Sequence, residues 1–307
     1  MATARSLPLW RSLLFVPVNV EKFVATAHTR DVDGIQLDLE DSVPVSEKDT
    51  ARKLIEAAVP RVARGGADVV VRINRPLALA VRDIEAAVLP GVAALALPKV
   101  TGADHIRLLS ELVGDCERTR GMAEGSVKFI AMVETANAYF HMRDIASANP
   151  RVVAMTLGAE DFATSVGMLP EPDGLISPNI EMVIAAAAAG ILPMGFVGSI
   201  AEISDMAAFR ATIRRARKLG FRGASCIHPR QAVILNEEFA PGADEVADAR
   251  RVIAAHEAAA NQGRGAISLD GRMIDVPIVE RAKATVAWAD AIAARLAKRA
   301  AAGTTRD

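Results

Sequence analysis

Ser12-Leu13-Leu14-Phe15-Val16-Pro17-Val18-Asn19-Val20 decides between two folds. Its first five residues form a short, mostly apolar run of the kind that makes a buried strand. The turn that follows contains no glycine. A doubly wound dinucleotide-binding sheet needs glycines at this first turn, where the backbone must approach a pyrophosphate closely. The alternative α/β architecture therefore has to explain the rest of the chain. After Ser12–Val16, runs of the same kind recur at Gly34–Leu39, Val69–Ile73, Ala93–Leu97, Lys128–Val133, Val152–Leu157, Leu192–Val197 and Gly223–Ile227. They are continuously apolar and often β-branched, as expected of parallel strands buried on both faces. Eight strand–helix units in about 235 residues match the count and length of a (β/α)8 TIM barrel.

The segments between the runs carry helical spacing. Ala51, Leu54, Ile55 and Ala58 form one stripe, and Pro60 is expected to stop that helix. Met206, Phe209, Ile213 and Ala216 repeat the pattern over Asp205–Leu219. Gly190 and Gly220 stand where helix C-termini prefer glycine. The chain changes character after Phe239, so a barrel over 1–240 is expected to carry a C-terminal helical extension over 241–307. In that extension a helix over Asp244–Ala260 precedes the glycine-rich connector Gln262–Gly265. A short run, Ala266–Val276, turns at Asp270-Gly271, and a long Ala/Arg/Lys-rich helix fills Val279–Ala302. The extension is surplus to the barrel ring and is expected to act as a lid, or as an arm packed on a neighbouring subunit.

At 307 residues and 51% hydrophobic, the chain can bury one large core. Lys and Arg total 36 against 37 Asp and Glu, which excludes the strong field expected of a nucleic-acid or anionic-membrane partner. No stretch approaches the roughly 18 apolar residues of a membrane span. Arg11 and Ser12 interrupt the apolar N-terminus, so it reads as a first strand rather than a signal-peptide core. A cytoplasmic location is the expectation. Cys116 and Cys226 are far apart and form no metal-ligand pattern, and Cys226 is expected to be a buried, reduced thiol.

In a barrel of this kind, chemistry gathers where strands end. Strand 2 ends in Asp38, Glu40 and Asp41, strand 3 in Arg72 and Asn74, and strand 4 in Lys99. Strand 5 ends in Glu134 and Asn137, strand 6 in Glu160 and Asp161, strand 7 in Ser199 and strand 8 in His228. Several acids at one mouth would repel one another unless a cation stood between them, and burying an unpaired carboxylate costs several kcal/mol. Mg2+ fits that demand, with Mn2+ as an alternative, because it takes one or two protein carboxylates and fills its shell with waters and substrate oxygens. Arg72 offers a planar fork for a substrate carboxylate, with Asp38 and Lys99 beside it in the binding set. Each residue also has a structural reading. Arg72 could pair with Asp38 or Glu40, Glu134 or Asp161 could cap a helix, Lys99 could balance the acids, and His228 could anchor a loop.

Seven motifs in order resemble a known family: Arg11-Ser-Leu-Leu-Phe-Val-Pro17, Leu37-Asp-Leu-Glu-Asp41, Val71-Arg-Ile-Asn74, Leu97-Pro-Lys99, Met132-Val-Glu-Thr-Ala136, Leu157-Gly-Ala-Glu-Asp161 and Cys226-Ile-His-Pro229. They look like the citrate lyase beta subunit and its single-chain relatives, the malyl-CoA and citramalyl-CoA lyases, from about Arg11 to Trp288. The resemblance implies that Glu134 and Asp161 bind the metal and that Arg72 holds the keto-acid oxygens. It implies that Glu40 orients metal-bound water or supports the metal shell. Gly271-Arg-Met-Ile-Asp-Val-Pro277 resembles a closing segment that carries a catalytic aspartate, here Asp275, often onto an adjacent subunit. The implied reaction is Mg2+-dependent cleavage of a 3-hydroxyacyl-CoA thioester into an acyl-CoA and a 2-keto acid, pyruvate or glyoxylate. A homotrimer or hexamer is implied. The alternatives are a beta subunit acting on a carrier-bound thioester within a multi-subunit citrate lyase, and a non-catalytic metabolite-binding barrel. Two loops depart from the family: Pro17-Val18-Asn19 lacks the usual glycine, and Gly195–Ile200 lacks an Asp-Gly pair. The second departure bears on the substrate pocket.

Overall fold

The computed structural model describes residues 7–201, 204–261 and 266–304. They fall into two compact units, Met1–Phe239 and Ala240–Asp307. Eight strands form the first: β1 (Ser12–Pro17), β2 (Gly34–Asp38), β3 (Asp68–Arg72), β4 (Val92–Leu97), β5 (Lys128–Val133), β6 (Val152–Leu157), β7 (Leu192–Met194) and β8 (Ala224–Cys226). Each is parallel to its neighbours, in the order β7-β6-β5-β4-β3-β2-β1-β8. The two ends meet in a parallel bridge between Met194 and Gly223, with the Gly195 N–H donating to Gly223 O at 2.8 Å. This closes the (β/α)8 barrel. Gly223 is needed there because a Cβ would stand 1.7 Å from the carbonyl oxygen of Trp10.

Side chains alternate between the two faces of each strand. Leu13, Val70, Ala94, Ala96, Ile130, Met132, Ala154, Leu192 and Met194 pack together as one buried cluster inside the ring. The alternate residues, such as Ile35, Leu37, Val69, Val71, Leu95, Phe129 and Ala131, belong to the larger cluster shared with the surrounding helices. Trp10 is buried beside the interior cluster, and its Nε1 donates to Asp68 Oδ2 at 2.8 Å.

The helix expected to stop at Pro60 instead runs from Lys48 to Val62, with Pro60 inside it. The missing N–H falls in the last turn and costs a single ladder bond. Val59 and Val62 are both buried against the core, and that contact carries the helix past the proline. The Asp205 side chain accepts from the Ala207 and Ala208 N–H groups and starts the helix Met206–Lys218. Gly190 ends its helix in the left-handed region. Cys226 is a buried free thiol, pushed upward in pKa by burial.

The second unit holds the helix Ala243–Ala260, the antiparallel strands β9 (Ile267–Leu269) and β10 (Arg272–Ile274), and the helix Val276–Thr304. Its core joins Ala249, Val252, Ile274, Val279 and Ala282. Asp270 and Gly271 both have positive φ, as a tight hairpin turn requires. The last helix begins earlier than its spacing suggests. Asp275 sits at the N-cap, its Oδ1 facing the Ile278 N–H at 3.4 Å, and Pro277 needs no N–H in a first turn. The connector expected at Gln262–Gly265 lies outside the described residues. No helix among the described residues is long and apolar enough to cross a membrane.

Candidate active site at the C-terminal mouth of the barrel

Alternation places the site. Arg72 stands two residues beyond Val70, and Glu134 two beyond Met132, so both continue the inward face into the mouth. Asp38 lies opposite Arg72 in the parallel register. Arg72 Nε and Nη2 each donate to the Asp38 carboxylate at 2.8 Å. The Glu40 N–H, the Ser42 N–H and the Ser42 hydroxyl also donate to Asp38. Burial would raise the Asp38 carboxyl, but these bonds outweigh it and hold the group below its ordinary range. Arg72 Nη1 meets Glu40 Oε2 at 2.7 Å and Asp41 Oδ2 at 3.3 Å, and the guanidinium lies 4.7 Å from the centre of the Phe15 ring. Arg72 as an ion-pair partner of Asp38 and Glu40 is therefore what the geometry displays, and Arg72 also lines the main cavity.

Lys99 lies in the turn just after β4, in the left-handed region at φ 48°. Its N–H donates to Glu134 Oε2 at 2.6 Å, and its Nζ lies 3.0 Å from Glu40 Oε1 and 3.2 Å from Asp161 Oδ1. Burial opposes the ammonium, but Glu40, Glu134 and Asp161 outweigh it and raise the group above its ordinary value. Glu134 is buried, and its Cγ and Oε1 lie against Gly158, where a Cβ would come within 2.6 Å of both. That contact accounts for the glycine in Leu157-Gly-Ala-Glu-Asp161. Asp161 is 40% exposed, in the first turn of the helix Ala159–Val166.

The carboxylates outnumber their counter-charges. Burial first, and then Glu40 and Asp161, push the Glu134 carboxyl up to about 7, against the Lys99 N–H bond. Glu40 is also raised, by burial first and by Asp41, despite Arg72 and Lys99. Arg72 approaches Glu40 Oε2 off the hydrogen-bond direction, so this buried oxygen accepts no hydrogen bond among the described residues. No group of three or more His, Cys, Asp or Glu side chains converges as a metal cage among the described residues. A buried carboxylate of raised pKa beside a half-exposed one suits Mg2+, which binds through one or two protein carboxylates and keeps waters.

A cavity of about 960 Å3 opens from this cluster. Its acidic wall holds Asp38, Glu134, Glu160 and Asp161, its apolar wall Phe23, Phe196 and Ile200, and its rim the bases Arg30 and Arg230. The Ser199 hydroxyl donates to Glu160 and ties the loop after β7 to the acidic wall. Asn74 instead donates to Asp83, which pairs with Arg52 away from the mouth. His228 caps the helix Pro229–Glu238, its Nδ1 accepting from the Arg230 N–H at 3.1 Å. The structure thus brings Asp38, Glu40, Arg72, Lys99, Glu134 and Asp161 together. Asp275 belongs to the second unit, where it caps a helix. Phe15, Ser42 and Arg30 were not legible as site residues. Phe15 carried the one available signal, since it shares the parity of Leu13 inside the ring.

A closed parallel barrel with an acid-rich mouth and an adjoining large cavity defines an α/β-barrel enzyme with its site at the C-terminal ends of the strands. Residues 11–229 match the model of the HpcH/HpaI aldolase/citrate lyase family, and the chain belongs to that family. It is 36% identical to the citrate lyase subunit beta of Leuconostoc mesenteroides subsp. cremoris, over 92% of this chain and 94% of that one. It is 35% identical to the L-malyl-CoA/beta-methylmalyl-CoA lyase of Cereibacter sphaeroides, over 91% and 92%. Among solved structures, CitE of Mycobacterium tuberculosis in complex with magnesium, acetoacetate and coenzyme A is similar. It has a TM-score of 0.70 and 29% identity, over 91% of this chain and 97% of that one. A citrate lyase structure from Burkholderia xenovorans LB400, at TM-score 0.80 and 21% identity, shares the fold. The chain is a carbon–carbon lyase of this family.

Proposed function

We propose that this chain cleaves a 3-hydroxyacyl-CoA thioester of the citramalyl-CoA or malyl-CoA type into an acyl-CoA and a 2-keto acid, with Mg2+ held by Glu134 and Asp161. The observation that carries the reading is Glu134, a buried carboxylate pushed up to about 7 by burial and by two acidic neighbours, at the edge of a cavity of about 960 Å3. Similarity to a malyl-CoA lyase and to a CitE structure holding magnesium and coenzyme A supports it. The bound ion would supply Lewis-acid polarisation of the oxygens on the carbon that becomes the keto group.

The chain's own residues do the rest. Arg72 keeps its charge, because the acids around it raise its pKa further, so it presents a permanent cation to the keto-acid portion. Asp38 and Ser42 hold that guanidinium in place, and Lys99 stands between Glu40 and Asp161. Glu40, backed by both cations, orients water or the metal shell. The apolar wall of Phe23, Phe196 and Ile200 offers an apolar surface to the acyl-thioester arm, and the exposed Arg30 and Arg230 match its phosphates. Asp275 on the second unit is assigned the acid–base step at the acyl-CoA carbon, on the likeness of its Gly271–Pro277 segment to the family's closing segment.

The test is a coupled assay of the purified chain with citramalyl-CoA and malyl-CoA, in Mg2+ and in EDTA. Metal-dependent release of pyruvate or glyoxylate is the expected result, and full activity in EDTA would refute the reading. A second reading, a beta subunit acting on a carrier-bound thioester, is favoured by the 36% identity to a citrate lyase subunit beta. It predicts no turnover of either free CoA ester and turnover of the same acyl group on a carrier protein.

A further inference from the structure

We propose that Lys99 is the site's built-in counter-cation and competes with the divalent metal for Asp161, an inference that rests on the metal reading above. Lys99 touches each of the acids between which that metal would sit. Its Nζ is 3.0 Å from Glu40 Oε1 and 3.2 Å from Asp161 Oδ1, and its N–H is 2.6 Å from Glu134 Oε2. It reaches them from φ 48°, a conformation that costs a non-glycine residue free energy and persists only where surroundings impose it. Asp270, also at positive φ, occupies a hairpin turn where that geometry is expected. Lys99 follows Pro98 in the turn that ends β4, at a left-handed position that glycine or asparagine would fill at lower cost. That turn aims both the N–H and the ammonium of one residue at one acid cluster.

An ammonium and a dication sharing Asp161 Oδ1 would stand at contact distance and repel strongly. Metal entry therefore displaces Lys99 from Asp161. Glu40 gives the ammonium a second anchor, so the side chain can give up one carboxylate and keep the other. The lysine also stays near the metal as a repelling charge, which weakens metal binding by the protein alone. Retention of the metal then depends on the oxygens that the substrate adds to its shell, which couples metal binding to substrate binding.

The experiment is Mg2+ titration by calorimetry of the EDTA-treated full chain as wild type, Lys99→Met, Lys99→Gln and Glu134→Gln. Folding is checked by circular dichroism, and Tm is measured in EDTA. The main-chain bond to Glu134 survives both lysine variants, so they differ from wild type in charge. Wild type is expected to bind Mg2+, Glu134→Gln to lose that binding, and Lys99→Met and Lys99→Gln to bind at least about tenfold more tightly, or ~1.4 kcal/mol. Their Tm in EDTA is expected to fall, because the acids lose a neutralising charge. Equal or weaker Mg2+ binding by both lysine variants, with wild type binding and Glu134→Gln not, would overturn the competition while leaving the metal site standing. No Mg2+ binding by any of the proteins would overturn the metal reading and this inference with it.

Discussion

Replacing Glu134 with glutamine should stabilise the barrel in the absence of metal, increasingly as pH rises from 5 through 7. Burial and the neighbouring Glu40 and Asp161 lift this carboxyl from an ordinary 4.5 to about 7. The sign follows from proton linkage. Between those two values the folded state binds more protons than the unfolded state, so the stability contributed by protonated Glu134 is fully present below pH 4.5 and is lost as pH rises through 7. At about 1.4 kcal/mol per pH unit, ionised Glu134 costs the folded barrel about 3 kcal/mol at pH 8 and under about 1 kcal/mol at pH 5. Glutamine keeps an acceptor for the Lys99 N–H and cannot ionise. With about 2.1 cal/mol/K of unfolding entropy per residue over the first unit, the cost at pH 8 is worth about 6 °C in Tm. The assay is thermal unfolding of wild type and Glu134→Gln in EDTA from pH 5 to 8. The gap should widen with pH in favour of the variant, and Mg2+ should raise the Tm of wild type alone. A variant that melts at or below wild type throughout would refute the reasoning.

Gly158→Ala should act on the site rather than on the backbone, because φ at Gly158 is an ordinary −79° while the new Cβ would stand 2.6 Å from Glu134 Cγ and Oε1. Moving Glu134 should weaken Mg2+ binding by about 10–100-fold, read by calorimetry, at a folding cost of about 1–3 kcal/mol. Arg72→Met leaves Asp38 buried without its counter-charge, and should cost about 3–5 kcal/mol in urea unfolding at pH 7, with the loss smaller at low pH where Asp38 is protonated. A milder loss would show that Ser42 and the backbone donors suffice to hold Asp38.

The eight strands were legible because each needed only its own short apolar run, as at Lys128–Val133 and Val152–Leu157, whose bounds the structure reproduces, while β7 and β8 stop after three residues, short of the runs Leu192–Val197 and Gly223–Ile227. The inward direction of Arg72 and Glu134 also follows from local alternation, two residues beyond Val70 and Met132. Pro60 was misjudged because a local breaker rule competes with burial of Val59 and Val62, which is a tertiary contact. Asn74 was grouped with the mouth residues by its place after a strand, yet it turns to Asp83, on a helix whose position no local pattern specifies.

By itself the sequence determined the barrel and the set of acids and bases at the strand ends, since these depend on periodicity and on position along a strand. Only the tertiary structure decided how those charges are matched. Arg72 meets Asp38 from 34 positions away, and Lys99 meets Glu40 from 59. Such pairings depend on which strands are neighbours around the ring, on the register between them, and on a left-handed turn at Lys99 that no local pattern announces. Charge matching is a property of distances a few ångströms long between residues far apart in the chain, and those distances exist only once the ring has closed.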